Sequence, residues 1–468
     1  MSTSTNNTIG VIGLSVMGAN IAMNIADHGF NVSIYNRSPE KTRDAIKMYT
    51  GGKMIPFFDL KEFIESLEKP RKILLMVKAG EAVDALLSQL TPLLTKGDII
   101  IDGGNSFFKD TIRREQQLKE QGLFFVGMGV SGGEEGARRG PSLMPGGSKQ
   151  AWESLKPILK SISARDFHQG DCVIHIGENG SGHYVKMIHN GIEYIDMQLI
   201  AETYWIMKEG LRMSNETIAE TFKQWNEGRL NSFLIEITTK ILQTKNKYGE
   251  YVLDTILDSA GSKGTGKWTS EEALELGTPS FGFMAAVLAR YASAHKKKRV
   301  LLSKTFEKKI TEKTNISLVQ LEEALYVSKI LAYTQGYELL VEAAKTYDWK
   351  LDLKEISRIW EGGCIIRAHF LEELENAFLE ENTKTSIILA SAFKQTILSG
   401  IDSLRYVAQK SIACALPIPA FLSGITYYDN ITNEKVSANM IQAQRDFFGA
   451  HTFQKEIDGE YTHHQWEV

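Results

Sequence analysis

Residues 8–18, TIGVIGLSVMG, followed by ANIAMNIADHG at 19–29, decide the fold of the first half of this chain. A short apolar run ends at Gly13, and a helical stretch begins beside Gly18. Glycines at this spacing allow a tight strand-to-helix turn and close packing of the helix, whose N-terminus then faces the pyrophosphate of a dinucleotide. Because Ser15 replaces the middle glycine of the usual pattern, a tight turn without any nucleotide stays open as an alternative.

The next apolar run, NVSIYN at 31–36, leads into Asn36-Arg37-Ser38. An acidic residue at this point would hold the 2′-hydroxyl of a ribose, whereas an arginine accommodates a 2′-phosphate. Arg37 therefore favours NADP over NAD, and the alternative is an ordinary exposed charge.

Later apolar runs at 72–78, 98–104 and 123–129 are separated by helix-length intervals, as in a doubly wound parallel sheet. From about residue 180, segments with helical periodicity such as 181–210, 315–346 and 367–378 replace them. The sequence therefore predicts an α/β Rossmann-like doubly wound domain followed by a large all-α domain and a short C-terminal tail. We expect these three units at residues 1–179, 180–437 and 438–468, and we expect the aromatic, polar tail to pack on another surface.

Composition narrows the classes of function. The chain has 468 residues, 43% of them hydrophobic and 24% charged, as in a globular protein of two or three domains. A net charge of −4 gives no support for nucleic-acid binding, and the basic run HKKKR at 295–299 is interpreted as a solvated helix face. No apolar run is long enough to span a membrane, and the N-terminus has no hydrophobic signal core, so we expect a cytoplasmic protein without membrane contact.

The cysteines and paired histidines give little sign of a metal site. Cys172, Cys364 and Cys414 are far apart and lack metal-ligand spacing, so they are predicted to be buried free thiols. His463 and His464 have no matching ligand nearby at a suitable spacing. We therefore expect no bound metal.

A segment in the second half, KMIHNGIEYIDMQLIAE at 186–202, combines an apolar back with an unusual polar front. At helical periodicity its polar residues fall within an arc of about 140°; they are Lys186, His189, Asn190, Glu193 and Tyr194. One interpretation is an amphipathic helix whose polar face meets water. The other is a reactive face, which the mixture of donors and acid/base groups favours. Gly191, which costs about 1 kcal/mol in mid-helix, indicates a close-packed neighbour or ligand there.

Taken in order, the motifs of this chain resemble those of the decarboxylating 6-phosphogluconate dehydrogenases, from about residue 9 to about 453. The motifs are GLSVMG (13–18), NRS (36–38), VKAG (77–80), DGGNS (102–106), GVSGGEEGARRGPSLMPGG (129–147), KMIHNGIEY (186–194), SAGSKGTGKWT (259–269), GGCIIRAHFL (362–371) and QAQRDFFGAHT (442–452). The resemblance implies oxidation of 6-phosphogluconate with NADP to ribulose 5-phosphate and carbon dioxide, in the pentose phosphate pathway. It also implies a homodimer in which the tail of one subunit completes the site of the other.

The resemblance also assigns roles to residues. Lys186 corresponds to the general base and Glu193 to the general acid. The implied substrate-binding residues are Asn105, Ser131, Gly132, Gly133, His189, Asn190, Tyr194, Lys263, Arg290, Arg445 and His451, with the last two supplied by the partner subunit. The implied cofactor-binding residues are Gly13, Leu14, Ser15, Val16, Met17, Gly18, Asn36, Arg37, Ser38, Val77, Lys78, Ala79 and Asn105.

Such chemistry needs a lysine whose pKa is lowered and a glutamate whose pKa is raised. The sequence departs from the family pattern at Ser15, where alanine is usual, and at Glu361, where arginine is common. It is also looser at 280–299 and after about 453. Two alternatives stay open: another β-hydroxyacid dehydrogenase acting on a non-phosphorylated acid, and a catalytically silent NADP-binding protein.

Overall fold

The computed structural model describes residues 7–306 and 314–466. In its first part, short strands alternate with helices. The strands are β1 (Ile9–Ile12), β2 (Val32–Tyr35), β3 (Met54–Phe57), β4 (Lys72–Leu75), β5 (Ile99–Asp102), β6 (Phe124–Ser131) and β7 (Ser142–Gly146). The helices between and after them are α1 (Val16–Asp27), α2 (Pro39–Lys47), α3 (Leu60–Glu65), α4 (Glu81–Leu90), α5 (Phe108–Glu120), α6 (Gly133–Arg139) and α7 (Lys149–Ile162).

These strands form one sheet, in which the described residues give the order β3-β2-β1-β4-β5-β6-β7. The strand order reverses direction between β1 and β4, where Val11 pairs with Ile34 on one side and with Leu74 on the other. Apolar clusters cover both faces, so strands such as β1 and β5 are buried along their whole length. In open sheets of this kind, ligands bind outside the carboxyl ends of the strands at such a switch point.

The predicted fold class is confirmed, with two corrections to the sheet. The prediction of a parallel sheet is wrong for its last strand, because β7 pairs antiparallel to β6. Strands β3 and β7 were not predicted, since each contains a proline, which argues against a strand interior. Ser131, one of the implied substrate-binding residues, is the last residue of β6.

The second part is helical. Its helices are α8 (Ser181–Trp205), α9 (Asn215–Trp225), α10 (Phe233–Gln243), α11 (Val252–Thr255), α12 (Thr265–Glu275), α13 (Phe281–Ala294), α14 (Lys296–Thr305), α15 (Leu318–Thr346), α16 (Leu353–Ile359), α17 (Phe370–Ala377), α18 (Ser391–Ala413) and α19 (Pro419–Thr432). Helix α8 ends in a π-helical turn at Ile206–Gly210. Helix α17 begins at Phe370, three residues later than the predicted segment.

Helix α8 lies at the centre of the molecule. It contacts β6 and β7 at its N-terminal end and packs against α12, α13, α15 and α19 farther along. Glycines make the first contact possible: a Cβ atom on Gly129 of β6 would overlap the Lys186 side chain. At Gly191 a Cβ atom would lie 2.6 Å from Thr269 Cγ2 of α12, so a close-packed neighbour does explain this mid-helix glycine.

The chain closes with α20 (Ala438–Gly449) and a small hairpin of β8 (Phe453–Gln454) and β9 (Tyr461–Thr462). The buried carboxylate of Asp446 organises this tail: it accepts hydrogen bonds from the backbone of Thr452 and His464 and from the Trp466 ring. His463 Nδ1 lies 2.9 Å from the same carboxylate. The paired histidines thus belong to the packing of the tail.

Within residues 7–306 and 314–466, none of the helices combines the length and apolar character needed to cross a bilayer. The burial predicted for the thiols holds for Cys172 and Cys364 and is wrong for Cys414, which is partly exposed near the end of α18.

Candidate active site

The predicted cofactor-binding residues lie together at the carboxyl edge of the sheet. Gly13 follows β1 with φ of 97°, and a Cβ atom there would lie 2.6 Å from Met76 O, so only glycine suits this turn. The backbone N–H of Leu14 donates to Asn36 Oδ1 at 3.0 Å, which joins the first turn to the end of β2. Ser15 begins α1 without a side-chain capping bond, leaving the helix N-terminus open to an anion.

The remaining cofactor candidates surround that turn. Val16 is exposed, Met17 is half-buried and Gly18 is buried against Gly13. Arg37 and Ser38 are exposed just before α2. Val77, Lys78 and Ala79 follow β4, the next strand of the sheet, and Lys78 points to solvent. The structure therefore brings these three segments to one edge.

The loop after β5 carries Asn105, which is exposed. Beneath it the buried carboxylate of Asp102 accepts bonds from the Ser106 hydroxyl at 2.6 Å and from the Gly104 N–H at 3.0 Å. The Arg114 guanidinium lies 3.8 Å from the same carboxylate. The sequence analysis did not identify Asp102 as the residue that supports the Asn105 loop, although an acidic residue at the end of an apolar strand was a signal for it.

Helix α8 brings the central candidates together. Lys186 Nζ donates to Ser131 Oγ at 3.1 Å and lies 3.3 Å from His189 Nδ1. His189 Nε2 lies 3.2 Å from Ser131 Oγ, and Asn190 Oδ1 lies 3.2 Å from His189 Nδ1. These side chains are buried, so a polar face that simply meets water is the wrong interpretation of this helix.

Burial also determines the charges of these groups. It lowers the pKa of Lys186, an effect that the nearby Glu193 only partly opposes. Burial, with Lys186 alongside, holds the pKa of His189 well below its ordinary value. Burial raises the pKa of Glu193, which Lys186 and Arg290 partly oppose. Burial thus shifts the pKa of the amine down and that of the carboxyl up, two helical turns apart, which are the directions that a proton acceptor and a proton donor need.

At the far end of this face, a cationic group covers the ring of Tyr194. The Arg290 guanidinium lies 3.5 Å from the ring centroid, and Arg290 Nη1 donates to Gly261 O at 3.3 Å. Tyr194 Oη lies 3.2 Å from Ser262 Oγ, next to the exposed Lys263. Ser262 is a further candidate that sequence reasoning missed, since a serine in a glycine-rich loop gives no signal of its own.

Gly132 and Gly133 follow Ser131 at the start of α6, with φ of 110° and 63°. A Cβ atom on Gly132 would lie 2.5 Å from Gly363 O, so the 362–364 segment packs directly on this turn. Trp360, just before that segment, contacts the His189 ring edge-to-face at 5.5 Å.

Glu361, where the sequence departs from the family pattern, lies between Trp360 and the 362–364 segment and is buried. Its Oε2 accepts from the Phe167 N–H at 3.2 Å, while its buried Oε1 has no hydrogen-bond partner in the described residues. Burial raises the pKa of this carboxyl to about 7, helped by nearby acidic groups such as Glu375 and Asp166.

Two predicted substrate ligands are not brought to this site within one chain. Arg445 is exposed and donates to Gln442 Oε1 at 3.0 Å on its own helix. His451 is exposed and contacts the ring of Phe448. In the described part of the chain, no group of three or more His, Cys, Asp or Glu side chains is placed to hold a metal ion.

Known proteins resemble this chain over nearly its whole length. Residues 8–177 match the sequence model of the NAD binding domain of 6-phosphogluconate dehydrogenase, and residues 182–466 match that of its C-terminal domain. A relative from Klebsiella pneumoniae and one from Escherichia coli K12, both described as 6-phosphogluconate dehydrogenase, decarboxylating, are 48% and 49% identical over 462 residues. Each alignment covers 98% of this chain and 98% of the relative.

A solved structure gives the same result. The 6-phosphogluconate dehydrogenase of Plasmodium falciparum, studied in its apo form, with NADP+ and with 6-phosphogluconate, matches this fold with a TM-score of 0.95. Its sequence is 44% identical, and the match covers 98% of this chain and 100% of that one.

Proposed function

This chain belongs to the decarboxylating 6-phosphogluconate dehydrogenase family, and we propose that it converts 6-phosphogluconate to ribulose 5-phosphate and carbon dioxide with NADP. The family predicted from the ordered motifs is confirmed. The observation that carries the assignment of catalytic roles is the buried face of α8, which presents Lys186 and Glu193 beside the carboxyl edge of the sheet.

The nucleotide edge fits NADP. The uncapped N-terminus of α1 and the Gly13 turn suit a pyrophosphate, and the exposed Arg37 suits a 2′-phosphate. The other members of this site are Leu14, Ser15, Val16, Met17, Gly18, Asn36, Ser38, Val77, Lys78, Ala79 and Asn105. NADP, when bound, accepts the hydride from the carbon that is oxidised.

Lys186 acts first, as the general base. Its neutral amine takes the proton of the 3-hydroxyl while the hydride leaves that carbon. Ser131 and His189 hold the amine with hydrogen bonds that carry no charge, so burial can keep the amine neutral before the reaction. The resulting ammonium then polarises the new ketone oxygen, which favours loss of carbon dioxide from the β-keto acid.

Glu193 acts second, as the general acid. It donates a proton to the carbon that has lost carbon dioxide, while Lys186 takes back the proton of the enol hydroxyl, and the enediol becomes the ketose. A carboxyl with an ordinary pKa would be ionised at neutral pH, and burial raises the pKa of Glu193, the direction that favours retention of this proton. Seven residues of helix span about 10.5 Å, comparable to an extended six-carbon acid lying along this face.

The other residues bind the substrate. Asn105, Ser131, Gly132 and Gly133 hold the carboxylate end, and His189 and Asn190 hold the hydroxyls. Tyr194, Lys263 and Arg290 receive the phosphate, for which the guanidinium over the Tyr194 ring supplies a cation.

We also propose a homodimer whose tail completes the phosphate site of the partner subunit with Arg445 and His451. Several large apolar residues of α20 are exposed in one chain, as is usual for a surface that another subunit covers; they are Met440, Ile441, Phe447 and Phe448. Units at 1–179, 180–437 and 438–468 remain our proposed division. A cytoplasmic location also remains our proposal, with which the free, buried thiols of Cys172 and Cys364 are consistent.

Two inactive variants test the shared site. Lys186→Met removes the general base from its own subunit's site, and Arg445→Met removes the phosphate ligand that its subunit supplies to the partner's site. When the two variants reassociate at random, half of the dimers contain one of each and keep one intact site of two. The mixture should regain about a quarter of wild-type activity if sites are shared between subunits. A mixture that stays inactive, although sedimentation shows hybrid dimers, would contradict the shared site while leaving the reaction itself untouched.

A further inference from the structure

The 257–263 loop, between α11 and α12, carries both Ser262 and Lys263. The loop has no regular secondary structure and is exposed along its length. Its own hydrogen bonds are few, such as that from the Ser259 N–H to Leu257 O at 2.7 Å. A loop of this kind is mobile unless another element holds it, so the position of Lys263 depends on contacts from outside.

Those contacts come from the junction of α13 and α14. Arg299 Nη1 donates to Asp258 Oδ2 at 2.8 Å, and Nη2 donates to Asp258 O at 2.7 Å. Arg299 Nη2 also donates to Ser293 O at 2.8 Å, near the C-terminal end of α13. Lys296 Nζ adds an ion pair with Asp258 Oδ1 at 2.6 Å.

Two more bonds extend the same attachment along the loop toward Lys263. The Ala260 N–H donates to Ser293 Oγ at 2.9 Å, and Arg290 donates to Gly261 O. Residues 258, 260 and 261 are therefore tied, one after another, to a single surface of α13 and α14.

We propose that Arg299 is a positioning residue for the phosphate end of the substrate: it fixes the 257–263 loop so that Ser262 and Lys263 face the phosphate. The proposal rests on the proposed function. A guanidinium suits this role because its planar fork donates to a carboxylate and two carbonyls at once, which a lysine ammonium does not match in geometry. Its place beside the α13 C-terminus is also favourable for a cation.

The contacts with Asp258 show that the run HKKKR at 295–299 is only in part a solvated helix face. The prediction of a solvated face fits Lys297 and Lys298, whose exposed side chains make no hydrogen bond or ion pair with other described residues. It is wrong for Lys296 and Arg299, which turn back onto Asp258.

The test compares Arg299→Met with Lys298→Met, which removes the same charge from the same run. In Arg299→Met, KM for 6-phosphogluconate should rise about five- to tenfold, since bonds to charged groups are lost, while kcat changes less than about twofold. KM for NADP should not change. The inhibition constant of inorganic phosphate, used as a competitor of 6-phosphogluconate, should rise by the same factor, and Lys298→Met should resemble the wild type.

A double-mutant cycle identifies the route. Asp258→Asn should raise KM in the same way, and Asp258→Asn combined with Arg299→Met should be little worse than either change alone, because both remove one attachment. An unchanged KM in Arg299→Met overturns the proposal. So does an equal rise in Lys298→Met, or a loss of kcat and thermal stability without a change in KM.

Calorimetry of inorganic phosphate binding to wild type and Arg299→Met needs no turnover. If the wild type were inactive on 6-phosphogluconate, the proposed function would fail. Weaker binding of inorganic phosphate by Arg299→Met than by the wild type would still support the loop's role. Equal phosphate affinity in the two proteins would contradict that role whatever the activity.

Discussion

Gly129→Ala should impair catalysis by displacing Lys186, the proposed general base. A Cβ atom at this position of β6 would lie 2.9 Å from Lys186 Cγ and closer still to Lys186 Cβ, with Gly182 O at 3.3 Å. Carbon atoms pack at about 3.5–4.0 Å, so α8 or the lysine has to move by about 1 Å. A displacement of that size can cost about 100-fold in rate, and overpacking costs about 1–3 kcal/mol in stability.

The assay is kcat at saturating 6-phosphogluconate and NADP, with thermal unfolding in parallel. Affinity for NADP should stay near that of the wild type, because β4 and β5 separate β6 from the Gly13 turn. The matched control is Gly424→Ala in α19, where a Cβ atom would be no closer than 3.7 Å to Leu331 and full activity is expected. Full kcat in Gly129→Ala would refute the claim that close packing of β6 on α8 sets the position of Lys186.

Further changes test the electrostatics of the site. The kcat/KM profile should fall at low pH as Lys186 takes up a proton and at high pH as Glu193 loses one, so the residual activity of Glu193→Gln should lack the alkaline limb. Burial raises the pKa of folded Glu361 to about 7, so this carboxyl contributes less to stability as pH rises from its unfolded pKa toward 7. At pH 8, Glu361→Gln should therefore be more stable than the wild type by about 3 kcal/mol and should unfold at a higher temperature. Near pH 4 the two proteins should differ little in stability. Arg37→Ala should raise KM for NADP about tenfold or more and leave KM for NAD unchanged, and equal effects on the two would remove Arg37 as the 2′-phosphate ligand.

The nucleotide edge could be predicted from sequence because its determinants are local. The turn at Gly13 needs a positive φ, and the order of apolar runs places the segments after β1, β2 and β4 at one edge. The antiparallel β7 could not be predicted in the same way, because a short strand with a proline has no distinctive pattern and is defined only by its partner, β6.

The chemistry of α8 required the structure. Periodicity showed which side chains share a face, but a polar face toward water and one toward a buried site have the same pattern. Burial of Lys186 and His189 depends on β6 and on Trp360, distant in the chain. The tie between Arg299 and Asp258, 41 residues apart, likewise has no signal in either segment alone.

We propose that this chain couples hydride transfer to loss of carbon dioxide through two residues of one helix, Lys186 and Glu193. The most direct test follows the near-ultraviolet absorbance of reduced nicotinamide and carbon dioxide release together, on wild type and Lys186→Met, with 6-phosphogluconate and with NADP or NAD. We predict that the wild type forms one carbon dioxide per reduced NADP, with a weaker signal from NAD, and that Lys186→Met loses both products. No signal from folded wild-type protein that binds NADP, or full turnover by Lys186→Met, would contradict it.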